Sequence, residues 1–76
     1  MSPRLPRVTS AELLRALQRG GWQVKRQTGG HIHLAHRERP GLVTLPQHAG
    51  ETLKKWIVSS VLKQAGLTAE ELRELL

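Results

Sequence analysis

From Trp22 to Pro46 the chain reads WQVKRQTGGHIHLAHRERPGLVTLP, and the alternation inside this stretch decides the fold. Trp22 and Val24 are apolar with Gln23 between them and Lys25 after. Ile32 and Leu34 are apolar with His31 and His33 on the opposite parity, and Leu42-Val43-Thr44-Leu45 follows. Apolar residues two apart put one face of each segment into a core, which is strand behaviour. Gln27-Thr28-Gly29-Gly30 and Arg37-Glu38-Arg39-Pro40-Gly41 supply the glycine and proline of turns, so three short strands join as an antiparallel meander. Pro46 ends the third, having no N–H to give the ladder.

Outward from the meander the period changes to that of helices. Thr9-Ser10-Ala11-Glu12 is a capping box. It opens a helix carrying Leu13, Leu14 and Leu17 on one stripe, and Gly20-Gly21 stops it with a left-handed C-cap. A second helix is expected from about Glu51 to Ala65, ended by Gly66, with Leu53, Ile57, Val58, Val61 and Ala65 on its apolar arc. On that wheel Lys54 turns inward, Lys55 turns to solvent, and Trp56 at the edge of the arc is expected to pack on the terminal helix. Thr68-Ala69-Glu70-Glu71 is another capping box and opens a short C-terminal helix with Leu72, Leu75 and Leu76.

These elements predict one α+β domain ordered α-β-β-β-α, with a three-stranded antiparallel sheet, helices on one face and a short extra C-terminal helix. A sheet this small with one apolar face needs such a covering layer. Residues 1–8, with Pro3 and Pro6 among Arg4 and Arg7, read as a flexible basic lead-in, and residues 9–76 as the single domain.

Composition narrows the partners. Twelve Lys and Arg against six Asp and Glu give a net charge of +6 and a pI near 11.3, a balance that suits a polyanion. Glu70, Glu71 and Glu74 lie in the last segment, so the rest is more basic than the average. No cysteine is present, which excludes disulfides, thiolate metal sites and a cysteine nucleophile. No apolar run reaches membrane-span length and no signal-like stretch stands at the N-terminus, so a cytoplasmic protein without membrane association is expected.

Period two also says where chemistry can sit. With Trp22, Val24, Ile32, Leu34, Val43 and Leu45 toward the helices, Lys25, His31, His33 and Thr44 are sent to the open face. Imidazole titrates near neutrality and suits abstraction of a 2′-hydroxyl proton from RNA, with nearby cations offsetting the charge on the phosphorane. His31 follows a Gly-Gly turn, where a phosphate can approach the backbone. A surface histidine without a role is the competing reading. His33, with its Cα roughly 7 Å from that of His31, is a general acid, a phosphate contact or a half-buried sheet residue. His31, His33 and His36 also invite a metal reading, but His36 has the opposite parity and a third ligand on that face is missing; no metal and no cofactor is expected. Lys54 and Lys55 stand at the wrong helix end for cations unless a phosphate binds there. Trp22 is expected in the core; base stacking is the other use of either tryptophan. His48 reads as a loop or helix-entry residue.

The order helix, three strands, helix is that of double-stranded RNA-binding domains, and a more specific resemblance is to the HicA family of mRNA interferase toxins. It rests on the leucine helix ending in Gly20-Gly21-Trp22, on Arg26-Gln27-Thr28-Gly29-Gly30-His31, on Gly41-Leu42-Val43-Thr44-Leu45-Pro46, and on Leu53-Lys54-Lys55 followed by Leu62-Lys63-Gln64-Ala65-Gly66-Leu67. The family typically carries Gly-Ser-His at the head of the second strand, with that histidine required for cleavage. Here Gly29-Gly30-His31 implies His31 as the catalytic residue, with Gly30 where serine is usual. The resemblance further implies a metal-independent endoribonuclease acting on mRNA, with Lys25, His33, Lys54 and Lys55 as RNA contacts, and a HicB-type antitoxin partner masking the basic face. A non-catalytic RNA-binding module or an inactive toxin homologue is the alternative.

Overall fold

The computed structural model describes residues 4–47 and 50–76. The elements are α1 (Ser10–Arg19), β1 (Trp22–Thr28), β2 (His31–His36), β3 (Leu42–Pro46), α2 (Lys55–Ala65) and α3 (Ala69–Leu75). The three strands form one antiparallel sheet in the order β1-β2-β3. This is the expected α-β-β-β-α order with the extra C-terminal helix.

One face of the sheet is closed. Ile32, Leu34, Val43 and Leu45 join Leu13, Ala16 and Leu17 of α1, Val58, Val61, Leu62 and Ala65 of α2, and Leu72 of α3 in a single core, with Trp22 at its edge. Both capping boxes form: the Thr9 and Thr68 hydroxyls accept from the Glu12 and Glu71 amides, and each glutamate accepts from the threonine's own N–H. Ser10, buried at the start of α1, donates to the Pro46 carbonyl at 2.8 Å, so the helix and the end of β3 share one anchor. Arg39 in the β2–β3 turn donates to the carbonyls of Ala65 and Gly66, closing the C-terminal end of α2.

Four local expectations are corrected. The left-handed residue after α1 is Gly21, with φ +97°, whereas Gly20 has φ −81°. A side chain at Gly21 is barred twice, since a Cβ there would also lie 2.7 Å from His36 Nε2. Second, α2 starts at Lys55 rather than Glu51. Thr52 bridges Thr9, and the Leu53 amide donates to the Val8 carbonyl at 2.8 Å. This extended pairing buries Val8 (2% exposed) with Leu53, and those contacts replace a first helical turn. Lys54, expected to turn inward, is therefore the exposed N-cap.

Third, β1 runs on through Thr28 and contains a bulge. Val24 pairs with Leu34, but Arg26 pairs with His33, leaving Lys25 unpaired between them. The bulge reverses the parity of the strand, so Arg26 and Thr28 share a face with His33 and His31. Val24, expected in the core, is 43% exposed on this edge strand. Fourth, Trp56 does not pack on α3 but stands 69% exposed.

The Glu12 and Glu71 carboxyls are held below the ordinary glutamate range, first by the backbone N–H of Thr9 and Thr68 and then by their hydroxyls. A depressed carboxyl stabilises the fold above its unfolded-state pKa, and that contribution disappears as pH falls through the folded-state value. The margin in thermal midpoint over a Glu12→Gln/Glu71→Gln variant should be widest near neutrality and shrink through the carboxylate range. A pH series of melts followed by circular dichroism measures it.

Candidate functional site

The site begins at the two-residue link between β1 and β2. Gly29 adopts φ +52° and Gly30 a negative φ, which turns the chain so that His31 heads β2 opposite Thr28. The segment after β3 latches this turn from the other side. The Gln47 amide donates to the Gly30 carbonyl at 2.7 Å, and the Gln27 side-chain amide donates to the Gln47 side-chain oxygen at 2.6 Å. His31 is thus fixed in the middle strand between Thr28 and Pro46. Its backbone is held on both flanks, its side chain is exposed, and among the described residues no hydrogen bond ties its ring.

The other histidines differ. His33 is half-buried, with Nε2 3.0 Å from the Thr28 hydroxyl and Nδ1 3.2 Å from the Thr44 hydroxyl. Thr28, His33 and Thr44 therefore form one chain of hydrogen bonds across all three strands, and both ring nitrogens are engaged within the protein. His36 lies on the opposite parity, edge-on to Trp22 at 5.2 Å between centroids, with Nε2 3.1 Å from the Gly20 carbonyl and Nδ1 accepting from the Glu38 amide. Its contacts are structural: it ties the end of β2 to the α1–β1 link. Among the described residues no three His, Asp or Glu side chains converge as a metal would require.

The face holding His31 and His33 also holds Arg26, Thr28, Thr44 and Pro46. It is not a bare plane. The Thr44 amide on the outer edge of β3 donates to Gln64 Oε1 at 2.9 Å, which seats α2 along that edge. The flank of α2 then rises beside the sheet and makes a cleft of about 370 Å³ lined by His31, Thr44, Pro46, Trp56, Ile57, Ser60, Val61 and Gln64. That volume falls within the ~300–1,000 Å³ common for ligand clefts. An untethered imidazole at the mouth of an accessible cleft can exchange a proton with whatever occupies it.

Around this cleft the expected cations divide. Lys54 is the N-cap of α2 and Lys55 its first residue; both are exposed, and that end has no side-chain cap and no acidic residue in its first turn. Lys25 is exposed at the bulge. Sequence reasoning missed Arg26, placed on the His33 side by the bulge; for Trp56 it weighed base stacking but favoured packing on the terminal helix, whereas the exposed indole lines the cleft with His31. Simple alternation from Trp22 groups Arg26 with Trp22 and Val24, and it is the bulge at Lys25 that carries Arg26 across to the His33 side. For Trp56 the signal was ambiguous, because a residue at the edge of a helix's apolar arc is buried or exposed according to what packs beside it. His48 lies outside the described residues.

The two turn glycines should respond differently to substitution. A Cβ meets nothing within 4 Å at either one, but only Gly29 has positive φ. Gly29→Ala should cost about 1–2 kcal/mol for the left-handed backbone, and Gly30→Ser should stay within about 0.5 kcal/mol of the parent. Chemical denaturation of the two variants makes the comparison.

Comparison with known families follows the same stretch of chain. A family model described as the HicA toxin of bacterial toxin–antitoxin systems matches residues 10–67, from the first residue of α1 to just beyond the end of α2. No curated protein matches the chain. No helix among the described residues is long and apolar enough to cross a membrane. The matched span contains the whole sheet, the glycine turn, His31 and the cleft wall on α2, and the chain belongs to the HicA toxin family of bacterial toxin–antitoxin systems.

Proposed function

We propose that this chain is a toxin acting as a metal-independent endoribonuclease on mRNA, with His31 as its catalytic residue. The observation that carries the reading is the exposed and untethered His31 ring at the mouth of the cleft, on a face that also presents Arg26. In the neutral form the imidazole accepts the proton of a ribose 2′-hydroxyl. The freed 2′-oxygen attacks the adjacent phosphorus, and the bond to the 5′-oxygen breaks. The imidazolium returns its proton to that leaving oxygen, so no metal, cofactor or redox partner is consumed. The ends formed are a 2′,3′-cyclic phosphate and a 5′-hydroxyl.

Each remaining residue has a distinct part. Lys54 and Lys55 hold backbone phosphate at the uncapped start of α2, where helix amides point at the same anion. Lys25 and Arg26 extend the positive surface along β1 and offset charge developing on the phosphorane. His33 contributes mainly by position: engaged with Thr28 and Thr44, it keeps the three strands in register beneath the bound phosphate. A HicB-type antitoxin would silence the toxin by covering this basic face, an arrangement favoured by charge complementarity.

Incubation of the purified protein with single-stranded RNA in EDTA tests the reading. The wild type should cleave, and His31→Ala should cut at least ~100-fold more slowly, the low end of what a positioned acid–base group contributes. Expression of the wild type, and not of His31→Ala, should arrest bacterial growth. Equal cleavage by the two proteins, or RNA left whole by the wild type, would instead favour a non-catalytic RNA-binding module or an inactive homologue.

A further inference from the structure

The most exposed large apolar side chain among the described residues is Trp56, at 69%. A tryptophan left in water forgoes a large burial gain. One turn along α2, Ser60 occupies the same flank, and Ile57 beside it is already half-buried on the core. The indole instead stands as a partition between two clefts. On one side is the cleft it shares with His31, Thr44, Ser60 and Gln64. On the other is a cleft of about 350 Å³ lined by Glu51, Thr52, Leu53, Lys54, Trp56 and Ile57.

We infer that Trp56 is the stacking surface for an unpaired nucleobase, and that the cleft between α2 and the open sheet face is a nucleobase pocket. The inference rests on the reading of His31 as a ribonucleolytic centre for the identity of the polymer, and it adds the form in which that polymer is taken. His31 and Trp56 line one cleft and Trp56 and Lys54 the other, so a strand with a phosphate at His31 would set a base against the indole and carry its backbone on toward Lys54. The arrangement meets the needs of a single strand: a flat aromatic face, flanking cations for the backbone, and a polar rim. Pro46, Ile57 and Val61 supply the apolar walls, and Thr44, Ser60 and Gln64 the polar ones.

A paired duplex cannot use such a pocket, because its bases present their edges and keep their faces stacked on one another. The substrate is therefore single-stranded RNA, or a loop, although the helix–sheet order is one shared with binders of duplex RNA. Stacking is tolerant of base identity, so Trp56 selects for an unpaired base rather than for one particular base. The same indole offers a protein partner an anchor, but only a few apolar residues surround it, and the basic residues nearby favour a polyanion with flat rings.

The two tryptophans make the test direct. Trp22 is buried, at 2% exposure, and Trp56 is open, so quenching of exposed-indole fluorescence by added oligonucleotide reports on Trp56 alone. The probe is a short 2′-O-methyl oligoribonucleotide, which binds but has no nucleophile and so cannot be cut. The single strand should quench with saturation, and the same sequence annealed to its complement should not. Trp56→Ala should bind the single strand about tenfold more weakly, Trp56→Phe should retain most of the affinity, and neither should alter the slope of log K against log salt. Lys54→Ala should reduce that slope by about 0.7, the change expected for one lost phosphate contact.

Absence of quenching, or unchanged affinity in Trp56→Ala, overturns the proposal; RNA cleavage by the wild type in that case leaves the ribonuclease reading intact. Quenching together with RNA that stays whole supports the pocket and removes the ribonuclease.

Discussion

The constraint on which the rest depends is the register of the middle strand. Ile32 and Leu34 are buried in the common core, and neither can leave it without opening a cavity there. Because side chains alternate strictly along a strand, burial of these two residues drives His31 and His33 to the opposite face. A shift of one residue would put both imidazoles in the core and two large aliphatic groups in water. Packing on one side of β2 thus guarantees polarity on the other, and the candidate site inherits the stability of the core directly behind it.

Neighbouring strands turn this polarity into a built surface. Thr28 and Thr44 hold the His33 ring from both sides, which stiffens the sheet face under the site. Gln47 grips the glycine turn ahead of His31. His31 is the exception in this network, anchored through its backbone and free at its ring. A rigid base carrying one untethered imidazole is what proton transfer needs, since the group must reach its partner without the scaffold deforming. The α2 helix adds the wall, and its late start at Lys55 decides what that wall presents. Had the helix begun at Glu51, Thr52 and Leu53 would have been part of its first turn. Their pairing with Val8 and Thr9 instead leaves Lys54 as the exposed N-cap, lining the second cleft together with Trp56.

Much of this was legible in the amino-acid sequence, and the missing parts share a cause. Period-two patterning in Ile32–Leu34 and Val43–Leu45, the two threonine capping boxes and the glycine at the end of α2 are local signals, and each led to the right element. The bulge at Lys25, which brings Arg26 to the His33 face, belongs to the pairing of β1 with β2 and leaves no mark on the local alternation. The extended Thr52–Leu53 segment depends on a partner more than forty residues earlier in the chain, so a helical wheel over residues 51–65 could not register it. Trp56 sits at the edge of the apolar arc on that wheel, and its exposure depends on which elements pack beside it, which no helical wheel registers. The histidine face was thus readable because alternation is local, and the cleft beside it was not, because helix placement is a tertiary matter.

On the proposed reading, the open His31 ring stands on the side of the sheet that meets RNA. Carbon-resolved NMR of the histidine rings, recorded while an uncleavable single-stranded oligonucleotide is added, tests it most directly. The His31 ring resonances should move progressively with ligand while those of His36, tied to Gly20 and Trp22 on the other side, stay in place. His31 resonances that ignore the oligonucleotide, or that show contacts to the core leucines, would contradict it.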